Sequence, residues 1–313
     1  MMAEIDAVIP GMISEPISDW AARSTGSPPG VSFEFFPPKT GQATENLIDV
    51  AMRLARYTPE FMSMTYGAGG AAQERTRVVA SALQARVATP IAAHLTCVGA
   101  ARREVDAVAE ALWQDGIRSI VALRGDVPDG GAYIPHDEGY RDAAELVAGL
   151  QQAHDFEISV AAYPEPHPDS RGEKEDLAYL RRKWEAGATR ALTQFFFEPE
   201  PFLRLRDRVA AAGIGIDLVP GILPVGTMAQ TRKFATQCGT TLPPWLESRF
   251  VGLDKDPVTT GMVSTALAAS LCFELQREGV ADFHFYTLNR AEPSIALCAL
   301  LGRVPVAVEE AHA

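Results

Sequence analysis

Cysteine is scarce. Four are present in 313 residues (Cys97, Cys238, Cys272 and Cys298), far apart and with no CxxC spacing. A disulfide framework and a thiolate metal site are therefore not expected, and a reducing, cytoplasmic setting fits. Basic charge is also short: 28 Lys and Arg face 40 Asp and Glu, for a net charge of −12. Such a surface repels nucleic acid and anionic membrane, so neither is an expected partner, although a small anionic ligand needs only a local basic cluster. No run reaches the ~18 apolar residues of a membrane span. The opening stretch, 1–30, has neither the basic start nor the apolar core of a signal peptide. Missing too are a GxGxxG after the first strand, a P-loop, a GxSxG elbow and an HExxH. Nucleophilic and metal-assisted hydrolysis lose support accordingly.

What is there is ordinary globular material, 47% hydrophobic and 22% charged, enough for one large α/β domain. From Val31 onward one phrase repeats: a short β-rich run, a Gly, Pro or polar loop, then an amphipathic stretch rich in Ala, Leu, Arg and Glu. The strand candidates are "VSFEFF", "EFMSMTYG", "PIAAHLTC", "SIVALRGD", "EISVAAYP", "ALTQFFF", "IDLVPGIL" and "DFHFYTL". Helical stretches are expected over 42–56, 73–86, 101–115, 141–153, 173–186 and 199–212, then 228–238, 244–250 and 257–278, and finally 291–301. This order predicts a (β/α)8 TIM barrel with extra helices in the seventh crossover, with a doubly wound open sheet as runner-up. The expected domains are an N-terminal arm at 1–30, a single catalytic barrel at 31–303 and a C-terminal tail at 304–313.

In a barrel of this kind the chemistry sits at the C-terminal strand ends. Those ends offer Glu34, Thr65 with Tyr66, His94, Arg124-Gly125-Asp126, Tyr163 with Glu165 and His167, Gln194, and Leu288-Asn289-Arg290. So much polarity at one end favours an enzyme over a binding module. Glu34 has two readings: a solvated edge glutamate, or a half-buried acid whose pKa is raised for proton transfer. Arg124 and Asp126 are either a loop salt bridge across Gly125 or contacts to the polar edge of a flat ligand. Gly67, Gly69 and Gly70 mark a turn or a close approach to a phosphate or ring. His94 and His167, with no Asp, Glu or Cys cluster, make a poor metal site, so no metal is expected. "LRRKW" is a solvated helix face, or else Lys183 holds a phosphate and Asp176 a ribose hydroxyl. The Gln194 amide both donates and accepts, which suits a pterin or flavin edge.

Together "SFEFFPPKT", "TYGAGG", "AAHLTC", "GIRSIVALRGD", "ISVAAYPEPHP", "DLAYLRRKWEAGATRALTQFFFE", "GILPV" and "DFHFYTLNRAE" resemble methylenetetrahydrofolate reductase of the bacterial type over nearly the whole chain. The resemblance implies a flavoprotein that binds FAD, takes hydride from NADH or NADPH, and passes it to 5,10-methylenetetrahydrofolate in a ping-pong cycle. The product, 5-methyltetrahydrofolate, supplies methyl groups for methionine synthesis. By the same resemblance Glu34 is the general acid, its pKa raised by aromatic neighbours, and Asp126 contacts both flavin and pterin. FAD contacts carry over to Thr65, Tyr66, Ala68, His94, Leu123, Arg124, Gly125, Asp126, Ala143, Tyr163, His167, Ser170, Asp176, Tyr179, Arg182 and Lys183. Folate contacts carry over to Asp126, Gln194, Gln230, Phe234, Leu288 and Arg290. One departure stands out: where the family has an aromatic beside the adenosine half of FAD, the aligned residue is Asp142, with Tyr140 two places earlier. A homo-oligomer is implied. With no C-terminal regulatory domain, control by S-adenosylmethionine is not expected. A flavin-independent reductase and a non-catalytic pterin- or flavin-binding protein are the alternatives; the Lys183 and Asp176 contacts disfavour the first, and Glu34 the second.

Overall fold

The computed structural model describes residues 27–66, 70–127 and 131–307, without the side chains of 70–73. The expected N-terminal arm therefore lies almost wholly outside the described residues, as do Ala68 and the end of the C-terminal tail. Eight parallel strands close into a barrel in chain order: β1 Gly30–Phe35, β2 Met62–Met64, β3 Ile91–Thr96, β4 Ser119–Leu123, β5 Glu157–Ala162, β6 Arg190–Phe195, β7 Asp217–Ile222 and β8 Asp282–Tyr286. Around it lie α1 Gly41–Ala55, α2 Gly70–Gln84, α3 Arg102–Gln114, α4 Ala143–Ala153, α5 Glu173–Glu185, α6 Pro199–Ala211, α7 Met228–Cys238, α8 Pro244–Arg249, α9 Pro257–Arg277 and α10 Ala291–Leu300. The seventh crossover carries the extra helices α7, α8 and α9, as the sequence predicts. The second strand is shorter than "EFMSMTYG" and ends at Met64.

Strands buried on both faces sort their side chains by alternation. Phe61, Ala92, Val121, Leu192 and Val219 plug the barrel interior. Phe33, Phe35, Phe283 and Phe285 point the other way, into the layer beneath the helices with Leu47 and Leu54. Ser32 and Glu34 of β1 and His284 of β8 share the inner face, because Phe33 pairs with Phe285 and Ser32 with His284.

One seam is irregular. Leu192 pairs with Val219, but the next pair is Phe195 with Gly221, so Thr193 and Gln194 together oppose Pro220. Pro220 has no N–H to give a ladder, and a bulge in the facing strand is the usual accommodation. Helix starts are capped by side chains: Thr40 accepts from Ala43 N, Asp142 from Ala144 N and Glu145 N, Thr227 from Gln230 N and Asp256 from Thr259 N. Although the sequence has no unbroken apolar run of membrane length, α9 has a mean hydropathy of 1.4 over 18 residues and is long and apolar enough to cross a bilayer by composition alone. Here it packs on the barrel, burying Ala268, Ala269, Leu271, Cys272 and Leu275.

Candidate active site

At the C-terminal mouth Glu34 stands between two imidazoles. Its Oε2 lies 3.3 Å from His284 Nε2, within a hydrogen bond, and 3.3 Å from His94 Nε2, off the hydrogen-bonding direction. On its far side His284 meets Ser32, with Oγ and Nδ1 2.7 Å apart. His284 is fully buried and His94 is 5% exposed. Burial pushes the Glu34 carboxyl up, but attraction to His94 and the hydrogen bond to His284 outweigh it and hold the group down at about 2. The expected raised pKa is therefore corrected: the carboxyl is held below its ordinary value. The aromatic neighbours do not surround the acid, because alternation turns Phe33 and Phe35 outward and leaves Phe36 46% exposed. Glu34 is neither a solvated edge residue nor a greasy acid; it is a carboxylate hydrogen-bonded to His284 and set 3.3 Å from the His94 imidazole.

The β4 and β5 ends build a second wall. Arg124 pairs with Asp169 at 2.7 Å, not with Asp126, so of the two readings of this stretch the loop salt bridge across Gly125 does not form. Asp126 is exposed at the rim. Gly125 has φ +88, and a Cβ there would meet Val98 Cγ1 at 2.5 Å, so β3 packing demands the glycine before any ligand does. Tyr163 sets its ring edge to His167, centroids 4.6 Å apart. Asp176 accepts from the His167 backbone N–H at 3.0 Å, and Ser170 hydrogen-bonds within its turn to Gly172. Burial lowers the His167 pKa, with Arg124 adding to it.

Behind this wall sits a buried cation. Lys183, 4% exposed, donates to Ala161 O at 2.5 Å and lies 4.5 Å from the Tyr179 ring centroid. Burial brings its pKa down to about 8. The solvated-face reading of "LRRKW" thus fails at Lys183. Tyr179 Oη accepts from Ala143 N at 2.9 Å. Asp142 caps α4 and pairs with Arg182, so the residue in the aromatic's place is a structural acid. Tyr140, its neighbour, is buried with its hydroxyl on Asp106. The aromatic facing the wall is instead Tyr133, its ring 4.8 Å from the Arg124 guanidinium.

The third side carries Gln194, placed by the β6 bulge. Its Oε1 accepts from Phe195 N at 3.0 Å, leaving the NH2 group outward. Tyr286 Oη holds Thr193 O at 2.7 Å, and Thr193 Oγ1 takes Gly221 N at 2.9 Å. Thr65 continues β2 by donating its N–H to Phe35 O at 2.8 Å, and Tyr66 and Leu123 are half-buried beside it in the rim. A Cβ at Gly226 would stand 3.2 Å from Gln230 Oε1 and 3.5 Å from Leu288 Cδ1, which brings α7 and the β8 turn together. Phe234 is half-buried on α7, while Gln230 and Arg290 are exposed. Sequence reasoning missed His284, Tyr286 and Tyr133. A histidine in phase with Tyr286 on the eighth strand was the available signal for the first.

Comparisons with known proteins concern the chain as a whole. A family model described as "Methylenetetrahydrofolate reductase" matches residues 22–302. The chain is 48% identical over 275 residues to "5,10-methylenetetrahydrofolate reductase" of Pectobacterium carotovorum subsp. carotovorum, covering 88% of this chain and 91% of that one. It is 46% identical to the protein so named in Escherichia coli (strain K12), with the same coverage. It is 32% identical to "Methylenetetrahydrofolate reductase (NADH) 1" of Arabidopsis thaliana, over 87% of this chain and 48% of that one. Among solved structures, an uncharacterised protein from Clostridium thermocellum that binds two copies of 5-methyl-5,6,7,8-tetrahydrofolic acid superposes with a TM-score of 0.57. It shares 12% identity, over 91% of this chain and 96% of that one, and so speaks to the fold alone.

Proposed function

The chain belongs to the methylenetetrahydrofolate reductase family, and from that premise we propose that FAD and a reduced nicotinamide serve its reaction in alternation. The reaction is reduction of 5,10-methylenetetrahydrofolate to the 5-methyl product. One observation carries the reading. A single barrel mouth holds an acid flanked by two imidazoles and, on a neighbouring wall, a buried ammonium hydrogen-bonded to the Ala161 carbonyl.

The residues fit FAD. His94 Nε2 is buried without a hydrogen bond, so a ligand acceptor at the mouth would satisfy it. Lys183 and Arg124 supply positive charge for a diphosphate, and Asp176 a carboxylate for a ribose hydroxyl. Tyr163, His167, Leu123 and the Gly125 backbone flank the ring system. Tyr179, Arg182, Ala143 and Ser170 shape the outer end. Bound FAD supplies two-electron transfer between the nicotinamide and the one-carbon unit. NADH is the proposed donor, as in the name of the plant relative.

Glu34 handles the proton. Protonating the bridging nitrogen of the substrate's five-membered ring opens it to an iminium cation, which accepts hydride at its methylene carbon. A ligand filling the mouth excludes water, and desolvation already is the largest influence on this carboxyl. Ser32 Oγ both donates and accepts, so His284 keeps partners on both ring nitrogens whether Glu34 holds its proton or not. Asp126 sets a negative charge at the rim that favours the cation. Gln194 offers its NH2 to the pterin. Leu288 and Phe234 line the apolar side, and Gln230 and Arg290 meet the tail of the substrate.

The purified protein is expected to be yellow, absorbing near about 450 nm. NADH added anaerobically should bleach it and methylenetetrahydrofolate restore it. A colourless protein that gains no activity with added FAD would overturn the flavin reading. Bleaching without recovery would overturn the alternation.

A further inference from the structure

Beyond the residues that touch ligand, the end of β1 is held by an unusual device. The β1–β8 ladder stops at Glu34 paired with Tyr286. Pro37 follows Phe36 and brings no N–H to extend it. A side chain takes over: Asn289 Oδ1 accepts from Phe36 N at 3.0 Å, and Asn289 Nδ2 donates to Phe36 O at 2.9 Å. This is the two-point pairing a peptide group would make. Thr287 Oγ1 donates to Glu34 O at 2.6 Å and accepts from Asn289 N at 3.1 Å. Thr65 N holds the Phe35 carbonyl from the opposite side at 2.8 Å.

The clip has a conformational cost. Leu288 and Asn289 both sit in the left-handed region, at φ 51 and 56. Asparagine tolerates it; leucine does not adopt it readily. The turn delivers Leu288 to Gly226 and Gln230 at the mouth. Strain of this kind persists where surrounding bonds over-determine it, and here the carboxamide supplies those bonds.

We propose that Asn289 is a positioning residue: its carboxamide clips the end of β1 to the turn after β8, fixing the backbone that carries Glu34 and holding Leu288 at the mouth. The proposal rests on the reductase reading above and is tested separately from it. Asn289→Gly keeps the left-handed backbone allowed and removes only the clip. Amide hydrogen exchange at Phe36, read without any ligand, should accelerate at least ~tenfold as its partner is lost. In anaerobic stopped-flow, reoxidation of the flavin by methylenetetrahydrofolate should slow about tenfold, with reduction by NADH within about twofold, since Glu34 acts in the first alone. Should the glycine variant not fold, Asn289→Asp, which keeps an acceptor for Phe36 N but sets an oxygen against Phe36 O, carries the half-reaction reading, and half-reactions intact or slowed equally there overturn the positioning role. Unchanged exchange at Phe36 overturns the clip. Faster exchange with both half-reactions intact, or slowed equally, overturns the positioning role. A wild-type protein whose bleached flavin ignores methylenetetrahydrofolate overturns the reductase reading and the catalytic role with it, while the exchange result still reports on the clip.

Discussion

Glu34 lies on the inner face of β1 beside Ser32 and meets His284 from β8 and His94 from β3. The quoted strand showed an acid among phenylalanines, and the period-2 rule already put Ser32 on its face and Phe33 and Phe35 on the other. What no local pattern could show is that His284 and His94, from strands 250 and 60 residues away, complete that face. The consequence is a carboxylate rather than a carboxylic acid. Its folded pKa of about 2 lies below the ordinary 4.5, so its contribution to stability is present above that range and is lost as pH falls toward about 2. His284→Ala should shrink this acid-side loss, measured by urea denaturation at descending pH. Ser32→Ala should cost ~1–3 kcal/mol, because His284 Nδ1 is left buried without a partner. An unchanged midpoint would mean the hydroxyl does not serve the ring.

Elements were read correctly in kind and order because the strands are short and largely apolar and most of the helices up to α7 are amphipathic. Their ends were less legible: the second strand stops at Met64, since the pairing partner and not composition decides where a ladder ends. The bulge in β6 had a signal that went unused, the proline inside "IDLVPGIL". Pro220 faces Thr193 and Gln194 together, a two-against-one mismatch at the C-terminal end of β6. Gly221 must stay small for the seam to close: a Cβ there would lie 2.2 Å from Thr193 O and 2.6 Å from Tyr286 Cε2. Gly221→Ala should destabilise by ~3 kcal/mol or more, as overpacking against backbone does. Thermal unfolding reads this directly, and a wild-type melting temperature would show that the seam yields.

At the scale of the whole molecule, closure joins the first strand to the last, and the bottom of that seam carries its own charge problem. Burial and the neighbouring Asp282 carboxyl raise the Glu60 pKa, with Arg190 and Arg303 opposing. A raised acid favours folding while protonated, so this contribution is present at low pH and is lost as pH rises from the ordinary carboxyl range through the raised value. Asp282→Asn should flatten that decline in denaturation midpoints across mildly acidic to neutral pH. An unaltered profile would separate Glu60 from Asp282. Arg303 ties the same end together, donating to Pro29 O, Tyr57 O and Thr58 O. The top of the barrel is where polarity concentrates, and there the strand ends carry Glu34, His94, Arg124, Tyr163 and Gln194.

That mouth is proposed to serve two half-reactions in turn, with Glu34 needed for one of them. Glu34→Gln, compared with wild type in anaerobic stopped-flow, tests this most directly. The account predicts flavin reduction by NADH within about twofold of wild type and reoxidation by methylenetetrahydrofolate slowed at least ~hundredfold, the scale of a lost general acid. An equal fall in both rates, or a folate rate left intact, would contradict it.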